Sequence, residues 1–201
     1  MAARKPKQPE TVQATPDTLG VSAETRDGIC HLSFPFSDHL RRLAKAQLPG
    51  MEFDPQAKAW VVPIDQQPQT EATVTALRAE RARMLADRQQ VEAAARAGVQ
   101  DAKVKDAYKA DNTRSSGPIL AVGEFYVAQA NGKNYIAIHE MGILRHPVQG
   151  DLPDQTRWDA YKPAVGEQKS ILYKKGLGIV QDRAPERSHT PERARQPEAT
   201  R

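Results

Sequence analysis

The sequence has a single cysteine, Cys30, so no intrachain disulfide can form and no thiolate cluster is there to hold zinc. Aromatic residues make up only 5% of the chain, which argues against one large core and for smaller modules. No apolar run approaches the roughly 20 residues that span a bilayer. The opening "MAARKPKQPE" has no apolar stretch to serve as a secretory signal, so the expected location is the cytoplasm. Neither sign of charge dominates. The 29 basic and 25 acidic side chains leave a net charge of +4, a mixed surface that permits an anionic partner without requiring one.

Motifs for chemistry are missing as well. There is no G-x-x-x-x-G-K-[ST] loop, and "GLG" at 176–178 lacks the third glycine, following helix and acidic partner of a dinucleotide site. His139 and His146 stand seven apart, which does not match the i, i+4 spacing of a helical zinc site. Cys30 and His31 are neighbours that a strand sends to opposite faces, so they make no nucleophile and base pair. The expectation is a protein without catalytic residues, metal or cofactor, and not an enzyme.

What is present reads as modules between polar tails. Residues 1–19 and 181–201 are rich in Pro, Gln, Thr, Arg and Glu with little to bury, and both are expected to be disordered. Over 20–65, "GICHLSFPF" alternates as a strand and Ser37 is placed to cap a helix over "DHLRRLAKAQL". "PG" at 49–50 ends that helix, and the turn "DPQAK" joins "MEF" to "AWVVPI" as a hairpin. This is a small β-α-β-β module, with Trp60, Phe53, Phe34 and Leu43 expected as its core.

From about Thr70 to Ala110 the residues are mostly helix formers, so 66–115 is expected to be a helical connector. Val74, Leu77, Met84, Leu85 and Val91 follow three-and-four spacing, interrupted by Arg81 and Arg88. A solvated connector helix ending or kinking at Gly98 and a homodimeric coiled coil through 70–110 both fit that pattern. Over 116–180, "ILAVGEFYVAQA", "NYIAIHE" and "SILYKKGLGIV" are short β-rich runs, the first two forming a hairpin about Asn131-Gly132. With an irregular stretch from Leu144 to Gly166, they suggest a small all-β, SH3-like barrel. The fold class is therefore α+β.

Basic residues beside aromatic ones are the candidate nucleic-acid contacts: Arg41, Arg42 and Lys45 on the first helix, Lys58 at the hairpin turn, and Lys133, Tyr135, Lys174 and Lys175 on the C-terminal strands. Cations neutralise phosphates and an exposed ring stacks on a base, whether the DNA is single- or double-stranded.

Two stretches carry resemblances. "GPILAVGEFYVAQANGKNYIAIHE" followed by "GEQKSILYKKGLGIV", at about 117–180, resembles the KfrB domain of proteins carried on conjugative plasmids and related mobile elements. "FPFSDHLRRLAKAQLPGMEFDPQAKAWVVP" is similar to the HARP-type module of annealing helicases and to small W-V-P modules attached to plasmid primases. These resemblances imply a DNA-associated accessory role in plasmid maintenance or conjugation, with a mobile-element protein as a further partner. No helicase or primase motif accompanies them. The alternative is a protein interaction adaptor that works through the helical segment and the barrel.

Overall fold

A computed structural model describes residues 19–26, 28–99, 101–107, 110–149 and 156–183. The expected tails lie outside the described residues, apart from Leu19 and residues 181–183, where the last strand runs on to Asp182.

The chain opens with a hairpin of β1 (Ser22–Arg26) and β2 (Ile29–Ser33), which leads through Phe34–Phe36 into α1 (Asp38–Gln47). Ser37 caps α1 as expected, its extended backbone turning the chain while its Oγ accepts from Leu40 N at 3.4 Å. A second hairpin follows, β3 (Glu52–Asp54) and β4 (Ala59–Val62), and the four strands pair in the order β1-β2-β4-β3. Pairing of Cys30 with Val62 and of Leu32 with Trp60 fixes the register. Cys30, Leu32, Ala59 and Val62 are buried, together with Leu40, Ala44, Leu48 and Met51. The most deeply buried side chains are thus aliphatic or small. Of the expected core, Phe34, Leu43 and Trp60 are half-buried and pack against this cluster, while Phe53 is exposed, which corrects its assignment.

A 3-10 turn at Ile64–Gln69 feeds α2 (Thr70–Gly98). The helix ends at Gly98, where the sequence allows an end or a kink, 12 residues short of the full run of helix formers to Ala110. Its stripe of Val74, Leu77, Met84, Val91 and Ala95 is buried in the same chain, against α1, β1 and two strands of the second sheet. The helix is thus neither a solvated connector nor a free dimer seam. One apolar cluster runs from Val21 and Leu32 through Leu77 and Met84 to Ile136 and Ile138. Arg88, which interrupts the stripe in sequence, reaches over its edge to Glu92 at 2.8 Å and Asp106 at 2.7 Å.

The rest is strands: β5 (Lys103–Asp106), β6 (Arg114–Val122), β7 (Tyr126–Ala130), β8 (Tyr135–Glu140), β9 (Leu144–Gln149), β10 (Thr156–Ala160), β11 (Gln168–Lys174) and β12 (Leu177–Asp182). The Asn131-Gly132 hairpin between β7 and β8 forms as the sequence predicts, with Gly132 at φ 72°. "SILYKKGLGIV", read as one run, is two strands turned at Lys175 and Gly176, both at positive φ. β1, β5, β9 and β10 have weak local signals, and β5 in particular lies in a segment of helix formers. Pairing with distant strands overrides propensity there, since β5 runs parallel to β8 with Val104 opposite Ile136.

These eight strands form one sheet in the order β10-β9-β12-β11-β6-β7-β8-β5. The expected closed barrel is not found among the described residues: β10 and β5 are the two ends of the order and do not pair. The sheet folds over at β6, whose first half pairs with β11 and second half with β7. Gly117 sits at the fold, where a Cβ would stand 2.2 Å from Ala130 O. Inside the curl lie Ile119, Val127, Leu144, Ile171, Tyr173 and Val180, while Ile136 and Ile138 face α2.

Candidate nucleic-acid interface

The turn between β3 and β4 is built by its own residues. Asp54 Oδ1 accepts from Gln56 N at 2.8 Å and from Ala57 N at 3.3 Å, and Lys58 closes the turn at φ 52°. Phe53 and Trp60 then stand opposite one another, with ring centroids 5.3 Å apart at 62°. Phe34 stacks parallel to Trp60 at 6.0 Å, and Phe36 beyond it is 82% exposed. Three of the four phenylalanines and one of the two tryptophans thus gather around one open groove of about 370 Å³.

The cations expected from the sequence divide into groups. Arg41 and Lys58 line the groove, and Lys45 Nζ lies 5.5 Å from the Trp60 ring centroid. Arg42 stands one residue further along α1 and shares the Asp38 carboxylate with Arg41, which binds it at 2.6 Å. Burial pushes the Asp38 carboxyl up, but the two guanidinium groups outweigh this and hold it below the usual range. Asp38 therefore offsets part of the charge of both arginines. Lys45 and Lys58 have no ion-pair partner among the described residues.

Lys133 and Tyr135 belong to the β7–β8 hairpin, and Lys174 and Lys175 to the β11–β12 turn, so they are not part of the Trp60 face. Tyr135 is 41% exposed and has Lys105 Nζ 4.8 Å from its ring centroid. Sequence reasoning missed Lys105, which it placed on a helix, and Arg114. It also missed Phe34, Phe36, Phe53 and Trp60 as surface groups. The signal for those was the concentration of scarce aromatics in 27 residues, between Phe34 and Trp60.

The other polar residues singled out in the sequence lie apart from one another. His139 is buried, its Nδ1 2.7 Å from Tyr173 Oη, and burial pushes that phenol well above its ordinary pKa. His146 lies instead against Tyr161, with ring centroids 5.3 Å apart. Cys30 Sγ meets Thr70 Oγ1 at 3.9 Å in the core. Among the described residues no three His, Cys, Asp or Glu side chains converge as metal ligands, and no helix is long and apolar enough to cross a membrane.

The fold and this face define an α+β protein that presents stacked rings edged by cations. Compared with protein-family models, curated proteins and solved structures, the chain matches none.

Proposed function

We propose that the protein is a non-enzymatic accessory protein of a plasmid or integrative mobile element, working in the cytoplasm and binding nucleic acid on the Trp60 face. The observation that carries the binding is the cluster of Phe34, Phe53 and Trp60 beside Lys45 and Lys58, which have no ion-pair partner among the described residues. A folded chain gains by burying such rings, and here Phe36 and Phe53 are exposed while Phe34 and Trp60 are half-buried beside them, an apolar patch that points to a use. Rings stack on bases and cations take the phosphates, each stacked base contributing about 1–3 kcal/mol. The mobile-element setting rests on the KfrB-like and W-V-P-like stretches of the sequence.

The test is fluorescence anisotropy with labelled oligonucleotides at about 50 and about 200 mM salt, the range over which phosphate contacts weaken. Binding that falls steeply with salt and is weakened in Trp60→Ala supports the proposal. No binding at the lower salt removes it. A protein interaction reading then leads, with the largely apolar groove beside the exposed Phe36 as its docking site in place of the helical segment and barrel expected from the sequence.

A further inference from the structure

The curl of the large sheet leaves a seam. β6 bonds to β11 only from Arg114 to Pro118 and to β7 only from Ile119 onward, while β5 bonds to β8 alone. The first half of β6 therefore has one side without a strand partner. β5 comes round towards that side without joining it, and a pocket of about 450 Å³ lies between them. Lys105 and Asp106 line it from β5, Thr113 and Arg114 from the start of β6, and Asn131 and Tyr135 from the β7–β8 hairpin.

The charge in this pocket leans positive once its bonds are followed. Asp106 is bonded to Arg88 at 2.7 Å, which offsets part of its charge, Arg88 being shared with Glu92. Lys105 lies over Tyr135, and Arg114 makes no side-chain bond among the described residues. An exposed ring, two available cations and the Asn131 amide suit a planar, hydrogen-bonding group that carries an anion, and the volume is that of a small-ligand site.

We propose that the seam pocket is a second nucleic-acid contact, holding a base and its phosphate from the same single strand that stacks at Trp60. This rests on the reading of the Trp60 face given above. The four-stranded unit docks on the N-terminal half of α2, through Arg78 to Val21 O at 3.1 Å and His39 to Glu80 at 2.6 Å. The seam pocket is held at the C-terminal half, through Arg88 to Asp106 and Arg96 to Ala102 O at 3.4 Å. The helix is about 43 Å long at 1.5 Å per residue, so the sites are separated along it. Occupying both takes a strand of useful length, and the second contact then benefits from the high effective concentration set by the first.

The experiment uses the full chain and two labelled oligothymidylates, of about 4 and about 16 nucleotides, the range of known single-strand sites. Wild type is expected to bind the longer one at least about tenfold more tightly than chain length alone accounts for. Tyr135→Ala with Arg114→Ala is expected to abolish that gain. In a Trp60→Ala background, the residual binding of the short oligonucleotide should disappear when the Tyr135 and Arg114 changes are added. Lys105→Gln at an exposed position gives a second, milder variant, and far-ultraviolet circular dichroism verifies folding of each. Wild-type affinity for the longer strand in the Tyr135 and Arg114 double variant overturns the seam site while leaving the Trp60 face intact. Failure of wild type to bind either oligonucleotide at low salt overturns both.

Discussion

Ser37 Oγ donates to Glu140 Oε1 at 2.6 Å while accepting from Leu40 N, so a single hydroxyl caps α1 and ties it to the end of β8. Both residues are buried, at 3% and 5% exposure. The small and large sheets are thus joined by a hydrogen bond to a carboxylate as well as by the apolar cluster on α2.

Ser37→Ala is expected to cost about 1–3 kcal/mol, because it removes a helix cap and one donor to a buried carboxylate together. Urea denaturation measures the loss. A single unfolding transition shifted to lower urea is expected, since the small and large sheets share one core. A split transition would show that the two sheets unfold separately.

Asp87 on α2 accepts from three successive backbone N–H groups, Glu124 at 2.9 Å, Phe125 at 2.9 Å and Tyr126 at 3.1 Å. Gly123 leaves room for this, since a Cβ there would lie 2.3 Å from Asp87 Oδ1. Gly123→Ala and Asp87→Ala should each destabilise by about 1–3 kcal/mol. The double variant should cost less than the sum, because the clash and the bonds involve the same carboxylate. Additive losses in a thermal-melt cycle would contradict this coupling.

Glu80 sets an acid limit on the joint. Burial pushes its carboxyl up, but His39 at 2.6 Å and Arg83 at 2.7 Å outweigh this and hold it below the usual glutamate range. A carboxyl depressed by folding contributes stability above its unfolded value, and loses it as pH falls through the folded one. Stability should therefore drop as pH goes below about 4.3, the ordinary glutamate value. Glu80→Gln should show a smaller drop between pH 6 and pH 3 in urea titrations, by about 1 kcal/mol or less given its partly wet surroundings.

Phe36→Ala should leave the melting temperature almost unchanged, because the ring is 82% exposed, yet lower oligonucleotide affinity by about 1–3 kcal/mol if it stacks with the others. Lys58→Ala should weaken binding less and flatten its salt dependence. Anisotropy paired with thermal melts separates the two effects. A fall in stability without loss of affinity in Phe36→Ala would make the ring structural.

Much of the local architecture was legible in the chain. Ser37 before a period of 3.6, "PG" after it, Asn131-Gly132 between alternating runs and a long stretch of helix formers ending at Gly98 all act through nearest neighbours, so α1, the β7–β8 hairpin and α2 follow from sequence. β5, β9 and β10 did not, because their pairing is with residues far along the chain and their own composition is indifferent to it.

By itself the sequence determined the elements whose stabilising contacts lie within a few residues, together with the inventory of rings and cations. Tertiary structure alone decided how far the rings of the β3–β4 hairpin are covered. Trp60 shares a strand face with buried Val62 and pairs with buried Leu32, yet it is only half-buried, and Phe53 opposite it is exposed. It also decided that β5 and β10, the two ends of the large sheet, stay apart among the described residues. That distance is set by the curl of the whole sheet, which no local run of residues encodes.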